Sequence, residues 1–223
     1  MKKCILFISF LFMFFSTVYL SAQNSGRLVS RKVSSNITTE NENYKNFRFT
    51  VGGGYAYWLG ENLDAGNQAV KDFTSDLRHG YNLDIETQYY FHEFIGIGLN
   101  GSFTRYSSDD MKNINMRETD KMFFLGATCN GRYINNKWGF YSGLGFGPIF
   151  YSGDAEISGS YAKIEKTVFG INANIACEYR LSENVGTGLK LSVTAGSFEM
   201  YGVTDRMSVS SLMVTGFLSF RTK

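Results

Sequence analysis

Residues 169–180 read Phe169-Gly170-Ile171-Asn172-Ala173-Asn174-Ile175-Ala176-Cys177-Glu178-Tyr179-Arg180. Phe169, Ile171, Ala173, Ile175, Cys177 and Tyr179 fall on one face, with Gly170, Asn172, Asn174, Glu178 and Arg180 opposite. A period of two belongs to a β-strand whose two faces meet different surroundings.

The same period runs outward from this stretch in both directions. Towards the C-terminus, Val185, Leu189, Leu191 and Val193 oppose Gly186, Gly188, Lys190, Ser192 and Thr194, and the last segment aligns Leu212, Val214, Leu218 and Phe220. Towards the N-terminus, Trp138, Phe140, Leu144, Phe146 and Phe150 oppose Gly139, Gly143, Gly145 and Gly147. Before them Phe123, Leu125, Ala127 and Cys129 oppose Gly126, Thr128, Asn130 and Arg132. Ile95, Ile97, Leu99 and Phe103 oppose Gly96, Gly98, Asn100, Ser102 and Thr104. Tyr81, Leu83, Ile85, Tyr89 and Phe91 oppose Asn82, Asp84, Glu86 and Gln88, and the first segment aligns Phe47, Phe49, Val51, Tyr55, Tyr57 and Leu59. Eight segments result, each near the length that a tilted membrane strand needs.

The connections alternate in length. Short ones lie at His92-Glu93, at 134–137 and at 182–184; long ones are expected at 60–80, 107–119, 152–166 and 196–207. Short turns on one side and long loops on the other suit a barrel with periplasmic turns and external loops, and an even strand count returns both ends to the periplasm.

Alternation alone leaves open which face is inside, because a soluble lipocalin-like barrel buries its apolar face. Here the polar face is mostly Gly, Ser, Asn and Thr, whereas a solvated face carries more charge. Glycine in a strand is easier to explain where side chains crowd a narrow lumen; the run Gly52-Gly53-Gly54 marks a bend or close packing for the same reason. Aromatics gather in two groups. Tyr89, Phe91, Phe94, Tyr133, Trp138 and Tyr179 lie beside the short turns, and Tyr55, Tyr57, Tyr81, Phe103, Tyr106, Phe150 and Tyr151 beside the long loops. Two such groups suit two membrane interfaces. The expectation is an all-β, eight-stranded antiparallel up-and-down transmembrane barrel over residues 47–221.

Residues 1–22 read as a signal peptide. Lys2 and Lys3 precede an apolar run from Cys4 to Phe15, and Leu20-Ser21-Ala22 ends in a small residue suited to cleavage before Gln23. The apolar run falls short of the roughly 20 residues a membrane helix needs. Residues 23–46 are polar and without apolar period, as in a flexible periplasmic lead. Removal of residues 1–22 takes two of the 22 basic residues and leaves 20 of each sign, so no nucleic-acid partner is expected. The remaining cysteines, Cys129 and Cys177, fall on the outward face and are expected to be free thiols facing lipid.

On these features the sequence resembles the small outer-membrane β-barrel family of the OmpA transmembrane domain and OmpX. The resemblance rests on strand number, connection lengths and the closing segment Leu212-x-Val214-x-Gly216-x-Leu218-x-Phe220, similar to the C-terminal signal read by the barrel-insertion machinery. That signal usually ends in an aromatic residue, whereas here Arg221, Thr222 and Lys223 follow Phe220. The family implies no catalytic motif and no cofactor.

The inward charges are the candidate site. Asp84, Glu86, Arg132, Glu178, Arg180 and Lys190 all fall on the inner face, and three acids with three bases in a narrow space should pair. A salt-bridge network filling the lumen is the plainer reading; a gated proton or ion path is the sharper one. Lipid-modifying enzymes on similar barrels use a Ser/His/acid set near the outer rim. Of the two histidines, His92 is at the periplasmic end and His79 ends the first long loop near Ser75 and Asp76. No metal-ligand cluster or nucleotide-binding motif is present. The expected role is non-enzymatic and structural or interactive: envelope integrity, adhesion, or contact with lipopolysaccharide or a host surface, with a narrow channel as the alternative. Mixed charge in the long loops suits contact with lipopolysaccharide or a protein partner.

Overall fold

A computed structural model describes residues 46–60, 75–111, 116–157, 160–199 and 206–222. The expected signal peptide at 1–22, nearly all of the expected lead at 23–46 and parts of the expected long connections lie outside the described residues.

Eight strands close into one antiparallel barrel: β1 Phe47–Trp58, β2 His79–Tyr90, β3 Ile95–Met111, β4 Met116–Asn135, β5 Trp138–Ile157, β6 Ser160–Arg180, β7 Val185–Ala195 and β10 Ser211–Thr222. Neighbours in sequence are neighbours in the sheet, and β10 closes on β1. The seam pairs Phe49 with Phe220, Val51 with Leu218, Gly53 with Gly216 and Tyr55 with Val214. A small hairpin, β8 Ser197–Glu199 with β9 Arg206–Ser208, stands between β7 and β10. No helix among the described residues is long and apolar enough to cross a membrane. Strands do the crossing, and closure leaves no unpaired sheet edge inside the lipid.

Side-chain parity follows the sequence pattern. Leu83, Ile97, Leu99, Leu125, Phe146 and Leu189 point away from the barrel and are exposed, as is Phe169 at 71%. An apolar band this continuous on an outer wall marks a membrane-facing surface. Aromatic pairs close it at both ends: Tyr81 with Phe103 (ring centroids 6.5 Å) and Phe123 with Phe150 (6.1 Å) outside, Trp138 with Tyr179 (5.2 Å) at the turn end. Tyr106 and Tyr151 do not join the outer belt, contrary to expectation. They stand an odd number of residues from Phe103 and Phe150, so they face inward, fully or almost fully buried.

The turn end is tight. Asn136 and Lys137 alone link β4 to β5, and Asn136 takes a positive φ of 52°, which Asn tolerates better than most side chains. The glycine run of β1 stays paired in unbroken register with β10 and β2. A Cβ on Gly54 would collide with the Val214 carbonyl oxygen, so the close approach of the neighbouring strand excludes a side chain there.

The external side differs most from the sequence expectation. Segments 107–119 and 152–166 are largely strand. β3 and β4 stay paired to Met111 and Met116, β4 and β5 to Met116 and Ile157, and β5 and β6 to Ile157 and Ser160. By contrast β6 pairs with β7 only as far as Ile171 and Ala195. A four-stranded sheet therefore continues past the outer aromatic belt. In β6 the side chains from 160 to 167 are exposed on both faces, which removes the apolar period that would have revealed the strand.

Candidate functional site: the lumen and the external sheet

In the half of the lumen nearer the turns, the filling is polar and charged. Glu178, on β6 and 0% exposed, is held by two arginines from the barrel seam. Arg48 of β1 donates from Nε and Nη2 to its Oε2 at 3.0 and 2.8 Å, and Arg221 of β10 donates from Nη1 to its Oε1. Arg48 also donates to Gln88 Oε1 at 2.9 Å and lies flat over the Tyr141 ring, 3.8 Å from its centroid. The planar fork of arginine suits this double duty of carboxylate grip and ring stacking. Tyr90 donates to the same Gln88 oxygen, and Gln88 passes a bond to Asn130. Arg132 covers the Tyr90 ring at 4.1 Å and donates to the Glu93 carbonyl oxygen.

Higher in the lumen, Lys190 of β7 faces two acids of β2. Its ammonium contacts Asp84 Oδ1 and stands 3.6 Å from Glu86 Oε2, while Asn100 donates to Asp84 Oδ2 at 3.2 Å. These groups are almost wholly shielded from solvent, so each charge depends on its partner in a low-dielectric space.

Five of the six charges anticipated from the sequence are thus inside: Asp84, Glu86, Arg132, Glu178 and Lys190. Arg180 is not. It is the last residue of β6, and there its side chain reaches the Asn136 carbonyl oxygen at the rim, where the wall ends. Two arginines of the network are absent from the sequence reading. Arg48 lies between outward Phe47 and Phe49, and Arg221 follows outward Phe220, so parity alone marks both as inward. Arg221, the departure from the usual closing signal, is a lumen residue bound to Glu178.

The external half of the lumen is filled by apolar side chains. Trp58, Tyr106, Met122, Phe124, Ile149, Tyr151, Phe198, Val209 and Met213 belong to one buried cluster. Trp58 packs on Tyr106 and Tyr151 at ring-centroid distances of 5.7 and 6.4 Å, and Tyr151 on Phe198 of β8 at 5.7 Å. The small hairpin is therefore anchored by a side chain inserted into the barrel mouth.

Above the outer belt the outward face turns charged, with both signs present. Arg105 of β3 stands directly opposite Lys121 of β4, one outward step beyond the Phe103–Phe123 pair. Lys121 bonds Asp154 at 3.1 Å, and Tyr161 donates to the same carboxylate; those two bonds, the Tyr161 one first, hold the Asp154 pKa below its ordinary value. His79 is engaged by the Tyr55 hydroxyl and packs against the Tyr57 ring. Among the described residues no group of three or more His, Cys, Asp or Glu is placed to hold a metal ion. Cys129 and Cys177 are free and lie on the outer wall.

No protein-family model matches the chain, and no curated protein matches it. Among solved structures, the chain is similar to Neisserial surface protein A at 13% identity and a TM-score of 0.52, over 78% of this chain and 96% of that one. It is also aligned with the outer membrane protein OprG of Pseudomonas aeruginosa (13% identity, TM-score 0.47, 79% and 97% covered). A third alignment is with Ail, the attachment invasion locus protein of Yersinia pestis (13%, 0.46, 78% and 99%). In fold, then, this chain is a small antiparallel β-barrel of the outer-membrane type, like Neisserial surface protein A.

Proposed function

We propose that this protein is a non-conducting outer-membrane scaffold whose working surface is the external sheet of β3–β6. In this reading residues 1–22 are the cleaved export signal, 23–46 are a periplasmic lead, and Leu212, Val214, Gly216, Leu218 and Phe220 are the strand face read by the barrel-insertion machinery. The observation that carries the proposal is the contrast between a lumen filled along its length and a sheet that continues past the aromatic belt. A pore needs a water path, whereas here a charge network and an apolar cluster lie one above the other. The outward face just above the belt suits contact with phosphorylated lipopolysaccharide, because Arg105 and Lys121 are like charges placed directly opposite. Lys121 is already met by Asp154 at 3.1 Å, and the exposed Arg105 beside it offers its charge to a phosphate.

Two measurements test this. Planar-bilayer recording of the refolded chain is expected to show no steady conductance; stable ohmic steps would favour a narrow channel instead. Replacing 107–119 and 152–166 by tight turns is expected to keep the heat-shifted electrophoretic band of a closed barrel but abolish lipopolysaccharide retention. Retention equal to that of the parent would remove the external sheet from the function.

A further inference from the structure

Asp120 is 0% exposed although it lies on β4 beyond the outer aromatic belt, three residues before Phe123. The Tyr151 hydroxyl donates to its Oδ1 at 2.6 Å. Among the described residues its Oδ2 has no hydrogen-bond partner. The described groups around it offer no compensating positive charge. From β3, Tyr106 stands directly opposite; from β4, Glu118 lies two residues along the same face; from β5 come Tyr151 and Gly153, with Asp154 on the other face of the sheet. Lys121 and Arg105 belong to that other face as well. Lys166 of β6 shares the inner face opposite Tyr151 but is exposed. The fit is close: a Cβ on Gly153 would lie 2.7 Å from the Tyr151 hydroxyl and 2.8 Å from Asp120 Oδ1. A carboxyl buried without a cation favours its neutral form.

Tyr151 links this carboxyl to the plug. Its ring packs on Trp58 and on Phe198, the residue that anchors the β8–β9 hairpin in the barrel mouth. We propose that Asp120 is a proton-binding site that latches the external plug: the neutral carboxyl holds Tyr151, Trp58 and Phe198 together, and ionisation loosens them and frees the hairpin. Ionisation places an unpaired charge in the aromatic cluster, and the simplest relief is entry of water, which requires the plug to loosen. Burial first, then the neighbouring Glu118 and Asp154, raise the Asp120 pKa to about 7, while the Tyr151 hydrogen bond opposes them. The latch therefore operates around neutral pH, and acid closes it.

The test uses the full chain refolded in lipid vesicles, with Trp138→Phe so that Trp58 is the only tryptophan. Acrylamide quenching of Trp58 is followed from pH 5 to 9. A one-proton rise in quenching with a midpoint near 7 is expected, and Asp120→Asn, which mimics the neutral carboxyl, is expected to stay at the low-quenching level throughout. Tyr151→Phe removes the opposing hydrogen bond and should move the midpoint to higher pH, a shift that a purely structural role would not produce. The His79→Gln/His92→Gln chain, which lacks both imidazoles, should behave as the parent. A flat parent profile, or the same transition in Asp120→Asn, overturns the latch.

Discussion

The two halves of the lumen solve one packing problem by opposite means. Near the turns the space is filled by charge, with Arg48 and Arg221 gripping Glu178 and Lys190 placed between Asp84 and Glu86. Near the mouth it is filled by volume, with Trp58, Phe124, Ile149 and Met213 in one cluster and Phe198 inserted from outside. The first arrangement is built from strands on opposite walls and fixes their register. The second includes a side chain from a connecting hairpin, which leaves more easily than a strand does. The difference teaches that one barrel can be rigid at one end and responsive at the other.

The largest test of that contrast is Glu178→Ala. It leaves two buried guanidinium groups without their carboxylate and should cost about 3–5 kcal/mol in a urea refolding titration. A loss under about 1 kcal/mol would mean that the charged half is wet and replaceable. Next comes the wall that both halves share. Leu189→Arg or Leu99→Arg, near the lipid midplane, should cost roughly 2–4 kcal/mol, and equal stability of variant and parent would overturn the assignment of the outer face.

A different readout separates the halves by pH. The Asp120 pKa, about 7, lies above its unfolded value, so the folded state binds the extra proton. Its contribution is therefore most favourable in acid and declines as pH rises from about 4 to about 7. The slope cannot exceed about 1.4 kcal/mol per pH unit, the value for one proton. Asp120→Asn should flatten that slope, and a chain whose stability rises over this interval in parent and variant alike would contradict the assignment. The smallest change belongs outside the barrel. Lys163 and Glu165 pair at 2.5 Å on the exposed sheet, and Lys163→Ala should leave the urea refolding midpoint at the parent's value. A clear fall of the midpoint there would show that the external sheet is part of the barrel's support.

Much of this is legible in the sequence because lipid enforces a strict period. Parity places Ile97, Leu125 and Leu189 correctly, since each has lipid on one side of its strand and the lumen on the other. The same parity marks Arg48 and Arg221 as inward, but both sit at strand ends, where aromatic neighbours dominate the pattern. Tyr106 and Tyr151 match the belt in their height along the strand, whereas parity turns them inward. Segments 107–119 and 152–166 carry no period, so nothing local distinguishes their strands from loops.

The sequence by itself determined the eight crossings, the outward face, the short turns and the presence of charge inside, since each follows from local alternation against a two-sided environment. Only the tertiary structure decided which charges meet, that Arg180 stays at the rim, that an apolar plug with Phe198 closes the mouth, and that Asp120 is buried with no cation beside it among the described residues. Those facts depend on residues brought together across the lumen from strands far apart in the chain, and barrel closure, not local pattern, sets those distances.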